Sequence, residues 1–165
     1  MTGIGADQLE GRELRLLGNE IDTQHLGMTK RNVLRRVWDV PGSAASVKQL
    51  LEAFEHAHAQ GGFAHVRSEN RRLFLTSQPR PLPVTRVSAD ALQAAFDAPY
   101  PALGDAVMAL FLAEEGDVQR LLLLVDHAVM DGAGMWVFLR GINLVLTSGK
   151  QRPPAGGNPF LAWAT

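Results

Sequence analysis

One heptapeptide carries the residue types that acid–base chemistry requires: residues 126–132 read Asp-His-Ala-Val-Met-Asp-Gly. Histidine changes its protonation state near neutral pH, so His127 can accept a proton from a hydroxyl or an amine. Asp131 can fix the loop by pairing with a basic residue or with turn amides, or by capping a following helix. Gly132 lets the backbone turn sharply and leaves room beside the histidine. The pattern predicts a loop in which His127 is the general base.

Two apolar segments flank this heptapeptide and must hold it in position. Residues 120–126 form a nearly continuous apolar run, which is typical of a central strand buried on both faces. After Gly132, apolar residues recur at helical spacing up to Leu146, and Gly149 can end the helix. A histidine at the end of a strand is by itself more often structural than catalytic. The strand, the Asp-Gly turn and the helix together favour a site.

The remaining predicted elements lie before these two segments. Ser46 and Gln49 have the spacing of a capping box, and Gly61-Gly62 can end the helix that Ser46 begins. A proline-rich connector, 79–83, separates the early strands from a short helix that Ser88 can cap. A charged, glycine-containing turn at 114–117 predicts a hairpin. We expect strands at 14–17, 33–40, 63–67, 71–76, 84–87, 106–113 and 120–126, and helices at 46–60, at 89–96 and after residue 132.

Composition limits the classes of function. The chain has 165 residues, 46% of them hydrophobic and 20% charged, as in a single globular domain. Its net charge of -1 provides no electrostatic argument for a nucleic acid or an anionic membrane as partner. The basic pairs Lys30-Arg31 and Arg71-Arg72 are interpreted as solvated surface. The chain contains no cysteine, which excludes disulfides, thiolate metal sites and a cysteine nucleophile.

Targeting signals are also absent from the sequence pattern. The first ten residues lack the basic start and apolar core of a signal peptide, and no apolar run reaches the length of a membrane span. We therefore expect a cytoplasmic protein.

The heptapeptide resembles the signature of the chloramphenicol-acetyltransferase-like superfamily, which includes nonribosomal peptide condensation domains, polyketide-associated acyltransferases and wax-ester synthases. Its motif is His-His-x-x-x-Asp-Gly in condensation domains and His-x-x-x-Asp-Gly more widely. The second histidine falls on His127, the aspartate on Asp131 and the glycine on Gly132. Asp126 stands where the condensation pattern has its first histidine, and is kept as an auxiliary residue. Ala95-Phe96-Asp97 is similar to the stretch before the family's hairpin.

The resemblance implies an α+β fold with a mixed, largely antiparallel sheet flanked by helices. It also implies acyl transfer from a coenzyme A or carrier-protein phosphopantetheine thioester to a hydroxyl or amine acceptor, in lipid or natural-product biosynthesis. His127 would be the base, Asp131 would hold the loop and Gly132 would clear the approach. No bound cofactor and no metal are expected.

The resemblance covers only the first half of the family's two-part architecture, and the family's second motif, Asp-Phe-Gly-Trp-Gly, is absent. We expect residues 1–150 to be an N-terminal subdomain, and 151–165 to be a linker toward a C-terminal half or a second chain. Such a half would expose one apolar wall of the substrate tunnel.

A second class of function stays open: a non-catalytic, condensation-like half-domain that binds a carrier protein or another partner. Asp126 favours this alternative, whereas the set of His127, Asp131 and Gly132 favours the enzyme. The other histidines carry no site pattern; His56 and His58 point in different directions from one helix and cannot share a metal. The tryptophans Trp38, Trp136 and Trp163 are interpreted as core or interface residues.

Overall fold

The computed structural model describes residues 10–14, 31–70 and 72–148. Within these ranges the strands are β1 (Glu13–Leu14), β2 (Val33–Pro41), β3 (Val66–Glu69), β4 (Arg72–Leu75), β5 (Val84–Arg86), β6 (Met108–Glu115) and β7 (Val118–Asp126). The helices are α1 (Val47–Gln60), α2 (Ala89–Asp97) and α3 (Gly132–Ser148), with a short 3-10 helix at Phe63–His65. The predictions at 15–17 and at Gly149, and the linker at 151–165, lie outside the described residues.

The strands form two sheets, one with the order β2-β7-β6-β5 and a smaller one with the order β1-β4-β3. All pairings are antiparallel except that of β5 with β6, which is parallel. Among the described residues no helix is long and apolar enough to cross a membrane. The predicted α+β class, with a mixed and largely antiparallel sheet flanked by helices, is confirmed.

Strand β7 lies inside the larger sheet, between β2 and β6, and is buried on both faces. Side chains alternate along a strand, so Leu121 and Leu123 point to the face that α1 and α3 cover, whereas Leu122 and Leu124 point to the face that α2 covers. This explains the continuous apolar run: a strand with two covered faces has no polar face. His127 thus follows the most deeply buried strand of the sheet.

Helix α1 begins with the predicted capping box. The Ser46 side chain accepts a hydrogen bond from the Gln49 amide, and the Gln49 side chain accepts one from the Ser46 amide. The inner face of α1 places Phe54 against Trp38 of β2, with ring centroids 5.7 Å apart, and against Phe138 of α3, 6.3 Å apart. Both helices that cover this face therefore meet in one aromatic cluster.

Besides shifts of one or two residues at several strand ends, two predictions of local structure were wrong. Residues 63–65 form a 3-10 turn instead of a strand, because Gly62 has a left-handed backbone (φ 79°) and tightens the chain after α1. The hairpin turn is also shorter than 114–117: Glu114 and Glu115 belong to β6, which leaves Gly116 and Asp117 as a two-residue turn. Gly116 has φ 60°, the positive value that tight hairpins require.

Candidate active-site loop

The backbone around His127 is fixed on both sides. The His127 amide donates to the carbonyl oxygen of Asn32 at 2.9 Å, which ties the residue to the start of β2. The Val129 amide donates to the Asp126 carbonyl oxygen at 3.1 Å, closing a turn around the histidine. The His127 side chain is half-buried. The backbone of this histidine at the strand end is thus held by main-chain hydrogen bonds on both sides.

Asp126 anchors the start of the loop. Its side chain is only 7% exposed, and its Oδ2 accepts a hydrogen bond from Nε of Arg31 at 2.7 Å. Its Oδ1 accepts from the amide of Ala128 at 3.0 Å, on the far side of His127. Arg31 also donates to the carbonyl oxygens of Gly104 and Ala106. One buried ion pair therefore joins the loop to β2 and to the segment before β6.

Arg31 corrects an interpretation made from the sequence. The pair Lys30-Arg31 was assigned to solvated surface, but the Arg31 side chain is only 19% exposed and pairs with a residue 95 positions away. A basic pair carries no local signal for such a partner. An acidic residue in the place of a motif histidine was the available hint, because a buried carboxylate requires a cation or several donors.

Asp131 lies at the other end of the loop and caps α3. Its Oδ1 accepts a hydrogen bond from the Gly134 amide at 2.6 Å, and its carbonyl oxygen accepts one from Met135 at 2.9 Å. The side chain is exposed. Of the arrangements that the sequence left open for Asp131, the structure has the amide contact characteristic of an N-cap and no basic partner among the described residues.

Gly132 and Gly134 differ in the space that a side chain would have at each position. Gly132 does not have a positive φ, and a Cβ atom built on it meets nothing within 4 Å. The backbone at 132 therefore does not adopt a conformation that only glycine favours, and the space beside it is open; the role of Gly132 in clearing the approach to His127 stays a prediction. At Gly134, an added Cβ would lie 3.1 Å from both Oδ1 of Asp131 and Cγ of Met130. Gly134, which the sequence reasoning missed, is the glycine that the cap requires.

The other described histidines lie away from the loop. His58 is 3% exposed, and burial lowers its pKa from 6.5 to about 4. His65 Nδ1 lies 3.0 Å from the carbonyl oxygen of Thr76, which ties the 3-10 turn to the end of β4. Among the described residues no group of three His, Cys, Asp or Glu is arranged to hold a metal ion.

Helix α3 exposes large apolar side chains next to the loop. Trp136 is 67% exposed, Val137 70% and Leu144 55%. Val137 and Leu144 are seven residues apart and share one side of the helix. Trp38, by contrast, stacks on Phe54 as the core residue that the sequence predicted, and Trp163 lies outside the described residues.

The chain matches no protein-family model and no curated protein. It does match solved structures. The condensation domain described for chain release from the enacyloxin polyketide synthase is 21% identical with a TM-score of 0.66, and the match covers 92% of this chain and 34% of that one. The X-domain from teicoplanin biosynthesis is 15% identical with a TM-score of 0.63, covering 92% and 37%. TRI101 of F. sporotrichioides, complexed with coenzyme A and T-2, is 13% identical with a TM-score of 0.55, covering 87% and 42%.

These matches establish the fold. The chain has the condensation-domain fold of the chloramphenicol-acetyltransferase-like type, as the heptapeptide at 126–132 predicted. More narrowly, it corresponds to part of that fold, since it spans between 34% and 42% of the length of these three structures.

Proposed function

We propose that this chain is the part of an acyltransferase that carries the catalytic loop, with His127 as general base. The observation that carries the proposal is the rigidity of the loop. Main-chain bonds hold His127 to Asn32, and the Arg31–Asp126 pair fixes both of its flanks. A general base must be held within hydrogen-bond reach of the proton that it removes, and these contacts supply that support.

The chemistry requires one base and no metal. The His127 imidazole takes the proton from the acceptor's hydroxyl or amine as that oxygen or nitrogen attacks the thioester carbonyl carbon. The new C–O or C–N bond forms, the C–S bond breaks, and the proton passes to the departing thiolate. Asp131 and Gly134 keep the loop joined to α3. Asp126 has its two carboxylate oxygens engaged by Arg31 and by the Ala128 amide, so we assign it a positioning role.

The proposed donor is an acyl thioester of coenzyme A or of a phosphopantetheinyl carrier protein. TRI101 is described in complex with coenzyme A, and the enacyloxin domain with condensation-mediated chain release from a polyketide synthase. These neighbours support a reaction of natural-product biosynthesis. The exposed apolar side chains Trp136, Val137 and Leu144 support contact with a C-terminal half or a second chain that completes the site.

The test is acyl transfer from a panel of coenzyme A and carrier-bound thioesters, assayed with the protein together with its C-terminal half. We expect His127→Ala to lower the rate roughly 10²- to 10⁴-fold, the usual contribution of a general base, without a change in thermal stability. His56→Ala, which removes a half-buried histidine from α1, is the matched control and keeps the wild-type rate. Equal rates for wild type and His127→Ala would remove His127 from the mechanism.

A second candidate is a condensation-like module that binds a partner without catalysis. Two observations favour it: Asp126 replaces the first histidine of the condensation pattern and is fully engaged in an ion pair, and a structural neighbour, the X-domain, is described in complex with OxyB. This function predicts carrier-protein binding that His127→Ala leaves unchanged, and no transfer from any thioester by the wild-type protein.

A further inference from the structure

Two neighbouring cavities lie along α3, starting beside the candidate catalytic loop. An opening of about 220 Å³ beside Gly132 and Leu34 adjoins a larger cavity of about 670 Å³ between β2, α1 and α3. The two share Arg36, Trp136 and Leu139, and the larger one extends to Thr147. From Gly132 to Thr147 the helix rises about 22 Å. We name the two cavities together the α3 groove.

The floor of the α3 groove is apolar and its rim is basic. Trp38, Leu50, Phe54 and Ile142 contribute to the floor. On the rim, the guanidinium carbon of Arg36 lies 5.3 Å from the ring centroid of Trp136, a cation–π contact.

The charge of the groove is not balanced from within. Asp39 lines it, but its two carboxylate oxygens accept hydrogen bonds from Arg120 at 2.8 and 3.2 Å, and these bonds hold its pKa below the ordinary value. Among the described residues neither Arg36 nor Arg140 has a carboxylate within ion-pair distance. Within the described part of the chain, the groove therefore offers an apolar floor and two cations, Arg36 and Arg140, that have no carboxylate as ion-pair partner.

We infer that the α3 groove binds an elongated apolar chain that carries a carboxylate, with the chain on the tryptophan floor and the carboxylate at Arg36 or Arg140. The groove begins at Gly132, in the same loop as His127, so we assign this ligand as the acceptor of the transfer reaction, because the carboxyl group of the acyl donor is bound to sulfur as a thioester and carries no charge. That last assignment rests on the proposed function, whereas the binding itself does not.

Calorimetric titration of the full chain with dodecanoate tests the inference. We expect saturable binding of dodecanoate, binding at least tenfold weaker of dodecyltrimethylammonium, which has the same chain and the opposite charge, and no measurable binding of acetate. Shortening the fatty acid should weaken binding by up to about fourfold for each methylene removed, the limit for full burial.

One double variant and one pair of single variants locate the site. Arg36→Gln combined with Arg140→Gln should weaken dodecanoate at least tenfold and bring its affinity close to that of the ammonium analogue. Trp136→Ala should weaken both amphiphiles, whereas Val137→Ala should change neither. Trp136 and Val137 are equally exposed neighbours on α3, but only Trp136 lines the groove.

Several results would overturn the inference: equal affinities for the two amphiphiles, non-saturable uptake, or indifference to the arginine variants. Displacement of dodecanoate by the C-terminal half, or by self-association of the chain, would assign the groove to a protein contact instead. His127→Ala should bind dodecanoate as the wild type does. Transfer that depends on His127 without dodecanoate binding would refute the groove alone, and binding without transfer would refute the proposed function alone.

Discussion

The two ends of the candidate catalytic loop, Asp126 and Asp131, are held by interactions of different kinds. At the start, Asp126 is buried and pairs with Arg31, 95 residues away in the chain. At the end, Asp131 is exposed and bonds to the Gly134 amide three residues on. Breaking a buried pair leaves an unpaired charge in the interior, whereas losing an exposed cap leaves one helix amide to water. His127 lies directly beside the stronger anchor, so the position of the base depends on tertiary structure more than on α3.

The largest effect should come from removing the buried anchor. Arg31→Ala leaves the Asp126 carboxylate inside the protein without its cation, and we expect the free energy of unfolding to fall by about 3 kcal/mol. Chemical denaturation measures this. The matched control is Arg80→Ala, which breaks the exposed Arg80–Asp105 pair and should cost less than about 1 kcal/mol. Equal losses in the two variants would mean that Arg31–Asp126 behaves as a surface pair.

The stability of the fold between neutral and acidic pH should depend on a second buried residue, His58. The pKa of His58 is lowered to about 4 in the folded protein, from 6.5 when exposed. The unfolded chain therefore binds a proton first, and stability falls as the pH drops from 6.5 toward 4. Between pH 6.5 and pH 5 this loss should be roughly 2 kcal/mol.

The variant His58→Phe identifies the source of that loss. Phenylalanine can pack against Phe63 as the imidazole ring does and carries no titrating group. The stability of His58→Phe should vary less with pH over this interval, whereas Arg31→Ala should keep the His58-dependent slope. A wild-type slope in His58→Phe would show that a group other than His58 causes the loss of stability.

Much of the fold was predictable because its signals are local. The capping box at Ser46 and Gln49 lies within one helical turn. Consecutive leucines in β7 indicate that this strand is buried on both faces. The anchor of the loop was not predictable in this way. Arg31 meets Asp126 only because β2 pairs with β7 in one register, in which Val33 lies opposite Asp126. No periodicity in either segment specifies that partner.

The same contrast applies inside the candidate site. Capping by Asp131 was among the expected arrangements, because an aspartate before an amphipathic helix is a local pattern. The importance of Gly134 was missed, since it depends on the position of the Met130 side chain as well as on the cap.

Substitution at the exposed end of the loop should lower stability less than substitution at the buried end. Asp131→Ala removes the acceptor for the Gly134 amide, and we expect a loss of about 1 kcal/mol, a third of the effect at Arg31. Asp131→Asn keeps an oxygen acceptor and should retain most of the stability. A loss in Asp131→Ala as large as that in Arg31→Ala would reverse the ranking of the two ends.

The smallest effects on stability should come from substitutions of Gly132 and Gly134. These variants also distinguish an effect on folding from an effect on substrate access to His127. Gly132→Ala should leave stability unchanged or raise it by a few tenths of a kcal/mol, because the new methyl group meets open space and alanine favours helices. Gly134→Ala should lower stability by roughly 0.5–1 kcal/mol, because its methyl group crowds the Asp131 carboxylate and Met130.

Acyl transfer should follow the opposite order to stability. If Gly132 clears the approach of the substrate, Gly132→Ala should slow transfer in a fully folded protein, whereas Gly134→Ala should slow it only as far as the cap loosens. Thermal unfolding and transfer rates measured on the same two proteins decide the matter. A Gly132→Ala variant with wild-type transfer would leave the space beside Gly132 without a role in substrate access, and the motif glycine would then need another explanation in this chain.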